Sequence, residues 1–194
     1  MKLEGAPAFM GLYQISDAVC EDLIQHFKTD PHKRAGVVDA GEVDKAYKDS
    51  TDLTFYGSSE PIPAFDNYYR ELNKALEQYK SDYPLCSDGM HRWLFSGGNV
   101  QHYKPGGGFK VWHCERQGLN DLINRRHLAF STFLNTVTDE GGTEFLHQNY
   151  VAQPIQGHTI IFPCDWTFTH RGRVSHTQDK YIATGWFSFV PNSQ

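Results

Sequence analysis

Residues 100–118, VQHYKPGGGFKVWHCERQG, run from a β-rich stretch through a Pro-Gly turn into an extended segment ending on His113, Cys114 and Glu115. In a strand successive side chains alternate between faces, so His113 and Glu115 project to one side and Cys114 to the other. An imidazole and a carboxylate on one side of a strand are two corners of a metal site. The third corner must come from elsewhere in the chain, and TFTHRG, residues 167–172, offers His170 after an aromatic-rich stretch.

Two imidazoles and one carboxylate on one face of an octahedron suit non-haem Fe(II) and leave three positions open. The H-x-E pair alone decides nothing, and with ten histidines in the chain neither does His170 alone. Lys180, ten residues past His170 in KYIATGWFSF (180–189), adds a second kind of information. A dicarboxylate held on a metal at one end needs a fixed cation at the other, and Lys or Arg supplies charge-assisted hydrogen bonds there.

Outward from this segment the texture of the chain divides in two. SDAVCEDLIQHFKTDP (16–31) reads as a helix capped by Ser16 or Asp17, with Val19, Leu23, Ile24 and Phe27 on one face. A second helix is predicted from Pro63 to Tyr83, with Tyr68, Leu72, Leu76 and Tyr79 at spacings of three and four. Residues 29–52 read as a long polar surface connection, and residues 29–60 are the candidate lid. After Met90, β-branched and aromatic residues dominate, with strands predicted near 92–104, 109–114, 127–137, 143–147, 150–155, 158–162 and 180–190. Helices followed by short strands predict one α+β, mainly β domain over 1–194: a helical buttress over about 1–89 and a sandwich or barrel over about 90–190.

Composition narrows the function classes. The chain has 194 residues, with 13 Phe, 10 Tyr and 4 Trp, enough aromatics to fill a core without a disulfide scaffold. A formal net charge of −5 gives no basic footprint, so nucleic acid is not the expected partner. Cys20, Cys86, Cys114 and Cys164 lie far apart with no C-x-x-C pair, which excludes a zinc knuckle and fits a reduced compartment. Neither a signal-peptide run nor a membrane span is read, so the expectation is a cytoplasmic protein with no membrane partner. Gly106–Gly108 read as a strand turn, since no GxxxxGK[ST] pattern follows, and Gly141 and Gly142 as a hairpin turn.

The segments NVQHYKPGGGFKVWHCE, RRHLAFSTFLN, DEGGTEF, GHTIIFP, THRGRV and DKYIATGWF occur in an order and at spacings similar to those of the 2-oxoglutarate/Fe(II)-dependent dioxygenase superfamily. The chain most resembles the prolyl 4-hydroxylase-like branch, common among small bacterial and phage proteins, over roughly residues 97–190. The resemblance implies a double-stranded β-helix, or jelly roll, with N-terminal supporting helices and with His113, Glu115 and His170 on iron. It implies Fe(II) as metal, 2-oxoglutarate and O2 as co-substrates, and ascorbate as an accessory reductant. Lys180 matches the basic residue that pairs with the distal carboxylate of 2-oxoglutarate. Tyr103 matches a tyrosine that hydrogen-bonds the same co-substrate, and Thr184, on the strand face of Lys180, is placed to share that carboxylate.

Arg171, Trp112 and Trp186 are the substrate-facing candidates. Arg125 and Arg126 read as structural ion-pair partners. The chain departs from the family's commoner H-x-D in having Glu115, a longer arm with the same charge, and in having Lys180 where some relatives have Arg. The implied activity is hydroxylation of a peptidyl proline C–H bond with release of succinate and CO2. The alternatives are a hydroxylase of a free amino acid or small metabolite, a cupin-type zinc or manganese enzyme, and a non-catalytic jelly-roll module binding a sugar or peptide.

Overall fold

In the computed structural model, which describes residues 1–38, 41–55, 61–87, 92–118 and 120–190, two amphipathic helices form where the periodicity places them. α1 spans Asp17–Thr29 and α2 spans Pro63–Asp82. Pro63 stands in the first turn of α2, where its missing N–H would have had no intrahelical partner anyway. Ser16 occupies the N-cap of α1 but turns outward. Its N–H and hydroxyl both donate to the Glu71 carboxylate, at 2.7 and 3.2 Å, so the cap residue ties α1 to α2. Leu23, Ile24 and Phe27 on α1, and Tyr68, Leu72, Leu76 and Tyr79 on α2, are all buried.

These helices lie against an eight-stranded antiparallel sheet. It contains β1 (Lys2–Leu3), β2 (Gly11–Gln14), β3 (Arg34–Ala35), β4 (Thr51–Thr54), β5 (Trp93–Tyr103), β6 (Arg126–Phe133), β9 (His158–Pro163) and β11 (Lys180–Phe189). The spatial order is β1-β2-β9-β6-β11-β5-β4-β3. A second, three-stranded sheet is ordered β10-β7-β8, from β7 (Thr143–Phe145), β8 (Tyr150–Ala152) and β10 (His170–Gly172). The short α3 (Asp121–Asn124) leads into β6, capped by the Asn120 side chain, which accepts from the Ile123 N–H at 3.0 Å. The architecture is the double-stranded β-helix with helices on its outer face.

Strand alternation sorts the central strands into two chemistries. Val100, Leu128, Phe130, Ile161, Ala183 and Phe187 face the helices and form one core. The intervening residues face the smaller sheet, where Ala129, Phe133, Ile160 and Phe162 meet Phe145 and Phe168 in a second core. On β11 the same rule puts Lys180, Ile182, Thr184 and Trp186 along the wall of an open cavity between the sheets.

Two sequence expectations change. Residues 109–114 do not form a continuous strand: this segment divides its pairing, bridging Lys48 at Phe109 and His170 at His113. Its hydrogen bonds go alternately to the 47–49 segment and to β10, so no ladder runs along either side. Residues 29–52 are also more than a surface connection, for they contain β3 and the start of β4 and bury Lys48. Positions 39, 40 and 56–60 of the candidate lid lie outside the described residues.

A buried polar chain fastens the helical layer to the sheet. The Tyr68 hydroxyl meets Thr132 Oγ1 at 2.8 Å, Thr132 meets Thr159 Oγ1 at 2.8 Å, and Thr159 donates to the Gly157 carbonyl at 3.2 Å. Tyr68→Phe leaves the packing intact but breaks this chain where water cannot replace it, so urea melts should show a loss of about 1–3 kcal/mol.

Candidate metal centre

His113 and His170 belong to different parts of the chain but face each other directly. They form an antiparallel bridge in which each backbone N–H donates to the other's carbonyl, at 3.0 and 2.8 Å. Residues paired in this way carry their side chains on the same face, and the two imidazoles lie with centroids 4.4 Å apart. Phe109 stacks on the His113 ring at 3.8 Å, and Phe145 and Phe162 flank His170.

Both rings are held in one tautomer by backbone carbonyls. Nδ1 of His113 is 2.9 Å from the Val111 oxygen, and Nδ1 of His170 is 2.9 Å from the Phe168 oxygen. A carbonyl only accepts, so each Nδ1 carries a proton and Nε2 is left as the ring atom that can ligate a metal. Burial, together with the neighbouring His170, pushes the His113 pKa down to about 4, so this ring is neutral near pH 7.

Glu115 supplies the third donor. Its Oε1 lies 3.3 Å from His170 Nε2 and 3.9 Å from His113 Nε2. Burial opposes ionisation of this carboxyl, but His170, His113 and Arg126 together outweigh it and hold Glu115 below the usual carboxylate range. The donor atoms of all three residues lie within 4.8 Å of one another. Two imidazole nitrogens and a carboxylate oxygen thus converge on one point, as the ligands of a cation would. The donor set of two imidazoles and one carboxylate fits Fe(II).

The triad lines a cavity of about 930 Å³, and Lys180 stands in the same wall. Lys180 is only 3% exposed. Its Nζ donates to the carbonyls of Gly141, at 3.0 Å, and Arg173, at 3.4 Å, and lies 4.9 Å from the Tyr103 ring centroid. Gly141 has φ of +73°, a conformation that glycine adopts without strain in the tight turn presenting that carbonyl. Among the described residues no carboxylate pairs with Lys180, and burial alone pushes its pKa down to about 8.

The other expected co-substrate contacts are arranged differently. Tyr103 lines the cavity, but its hydroxyl donates to Gln101 Oε1 at 2.7 Å. Thr184 also lines it and donates to the Phe130 carbonyl at 2.9 Å. Thr184 is four residues, roughly 13 Å of strand, from Lys180, too far to share one carboxylate with it. It lies beside Trp186, whose indole Nε1 donates to Glu115 Oε2 at 2.7 Å, and so belongs to the metal end of β11.

Of the substrate-facing candidates, Trp112 and Trp186 line the cavity and Arg171 does not. The Arg171 guanidinium turns to Glu144, at 2.9 Å, and lies over the Trp112 ring at 4.4 Å. Arg125 pairs with Asp121, as an ordinary structural arginine would. Arg126 enters the site instead, with Nη1 3.6 Å from Glu115 Oε2. Strict alternation hides it, because β6 slips by one residue between the pairs Phe187–Leu128 and Ser188–Arg126, and that bulge changes the face Arg126 points to. The cavity wall contributed by Arg34, Val37, Val38 and the buried ion pair Lys48–Asp52, at 2.6 Å, carries no periodic signal at all.

Residues 98–188 match the profile of the 2OG-Fe(II) oxygenase superfamily. The sequence matches no curated protein. The fold is similar to that of a Pseudomonas putida prolyl-4-hydroxylase, at 16% identity and a TM-score of 0.71 over 93% of this chain and 92% of that one. It is similar to the viral collagen prolyl hydroxylase of Paramecium Bursaria Chlorella virus-1 in its 2OG complex, at 19% identity and a TM-score of 0.69 over 94% and 97% of the two chains. A Trichoplax adhaerens prolyl hydroxylase, in complex with a hypoxia inducible factor oxygen degradation domain peptide fragment, has 14% identity and a TM-score of 0.71 over 93% and 83%.

Removing a donor and removing the distant cation should separate cleanly. Under anaerobic Fe(II) titration, His170→Ala is expected to lose stoichiometric metal binding, whereas Lys180→Ala keeps it. Equal loss in both would contradict the division of the cavity into a metal end and a cation end.

Proposed function

From the match of residues 98–188 to the 2OG-Fe(II) oxygenase superfamily profile, we propose that the chain belongs to that superfamily and hydroxylates a C–H bond of a peptidyl proline, converting 2-oxoglutarate to succinate and CO2. The observation that carries this reading is Lys180, a buried ammonium without an acid partner among the described residues, in the wall of the cavity that also holds the triad. A buried charge is costly unless paired. A carboxylate at the far end of a metal-bound diacid supplies the missing partner.

His113 Nε2, His170 Nε2 and Glu115 Oε1 would hold the iron. With 2-oxoglutarate and dioxygen, iron supplies the oxidising power for attack on an unactivated C–H bond. Lys180 Nζ fixes the 5-carboxylate of 2-oxoglutarate and so sets the direction in which the diacid points along β11. Ile182 and Phe162 line the cavity with apolar surface that restricts water. Trp112, 38% exposed, borders the cavity on the solvent side, where a larger substrate would approach. The cavity is far roomier than a five-carbon diacid requires. Peptide substrates are in keeping with the fold's likeness to a collagen prolyl hydroxylase and to a prolyl hydroxylase seen with a peptide.

Incubation with Fe(II), 2-oxoglutarate and a library of proline-containing peptides should release succinate and add one oxygen atom to a peptide, read by mass spectrometry. Turnover of 2-oxoglutarate that only free amino acids stimulate would move the substrate to that class, and no iron-dependent turnover would sink the enzyme reading. Lys180 also sets a pH dependence. Its free pKa near 8 rises when a carboxylate binds, so 2-oxoglutarate affinity should be constant below about pH 7.5 and fall as pH rises through 8. Lys180→Met should bind the co-substrate weakly and without that fall.

A further inference from the structure

We propose that Trp186 and Arg126 are positioning residues that lock the Glu115 carboxylate in one orientation, so that Oε1 alone is offered to the metal. The inference rests on the reading of His113, Glu115 and His170 as a metal centre and concerns how the glutamate is made to fit there. A glutamate arm has one more rotatable bond than an aspartate arm, and a ligand left free to rotate must be ordered afresh each time metal binds. Here the ordering is built in.

The indole N–H is a donor only, and it is spent on Glu115 Oε2 at 2.7 Å. Arg126 stands over that indole, its Cζ 3.6 Å from the ring centroid. The same guanidinium donates to the Glu115 backbone carbonyl at 2.9 Å and stands 3.6 Å from Oε2. The residue is therefore gripped at its main chain and at one carboxylate oxygen. The other oxygen is left facing the two Nε2 atoms, at 3.3 and 3.9 Å. Ligation through a single oxygen occupies one coordination position and keeps the remaining three open.

Two strand irregularities meet at this place. β5 has one residue more than β11 between the pairs Gly185–Gly98 and Phe187–Phe95, opposite Trp186. The slip in β6 turns Arg126 toward the same carboxylate. Bulges of this kind re-aim side chains beside active sites, and here both neighbours of β11 are altered where its indole reaches Glu115.

The test is metal affinity, with Co(II) as an air-stable probe, alongside the thermal midpoint of the metal-free protein. Trp186→Phe keeps an aromatic ring beneath Arg126 and removes the indole N–H together with the five-membered ring that carries it. It should weaken Co(II) binding about 10- to 100-fold, as loss of partners behind metal ligands does, with the metal-free midpoint little changed. Arg126→Met should weaken binding in the same direction. Phe187→Leu, on the opposite face of β11, should lower the midpoint and leave Co(II) affinity intact. In a Glu115→Asp background the shorter arm no longer reaches the indole, so Trp186→Phe should then change affinity less than twofold. Wild-type affinity in both Trp186→Phe and Arg126→Met, or the same loss in the Glu115→Asp background, would overturn the proposal. Undiminished Co(II) binding by His170→Ala would instead remove the metal centre itself, and this inference with it.

Discussion

The pair of backbone hydrogen bonds between His113 and His170 holds the two halves of the site together. One histidine follows a glycine-rich turn and the other opens β10, and only this bridge brings their imidazoles to the same face. The bridge has no flanking ladder on the His113 side, so the geometry depends on the side-chain packing around it. Phe109, Phe145 and Phe162 supply that packing, and the carbonyls of Val111 and Phe168 fix the rings' rotation. Donors held this way need no rearrangement to ligate, which is what a preorganised metal centre requires.

The central strands serve two environments at once. One face of β11 is sealed by Ala183 and Phe187 against helix-facing residues of neighbouring strands, and this apolar layer makes the opposite face rigid. A rigid strand then sets Lys180, Ile182, Thr184 and Trp186 in sequence along the cavity, from the cation to the partner of the metal-binding carboxylate. The far ends of the site are thus tied to a single ruler. Side chains borne on a strand with one packed face keep their spacing far better than side chains on loops.

Much of this was legible from residue order. Both helices follow from apolar spacing and from Pro63, because a 3.6-residue repeat over a dozen residues is hard to satisfy otherwise. The convergence of His113, Glu115 and His170 was legible from residue type, although the strand alternation invoked for the first two was not the cause, since His113 stands on an isolated bridge and Glu115 in a bend. The failures have specific physical sources. Residues 109–114 have strand-like composition but exchange partners between two neighbours, and pairing is not written in local sequence. Arg126 is hidden by a bulge, since period-two reasoning gives the wrong face once a register slips. Arg171 was set facing substrate by its place beside His170, whereas an adjacent residue on a strand points away, and Glu144 takes its charge. The polar stretch that supplies Lys48 and Asp52 to the cavity has no periodicity to read.

Lys180 also bears on how long the folded protein survives. Among the described residues its ammonium meets carbonyls and no carboxylate, so its desolvation subtracts from the stability of the empty protein. Any dianion that binds there and not to the unfolded chain adds stability as the logarithm of its concentration over its dissociation constant. Since small changes in stability alter the steady-state level of a protein exposed to proteases, the level of such a protein depends on the supply of any anion that Lys180 holds. The same lysine would then report a metabolite's abundance through the lifetime of the chain, quite apart from the rate at which any substrate is turned over.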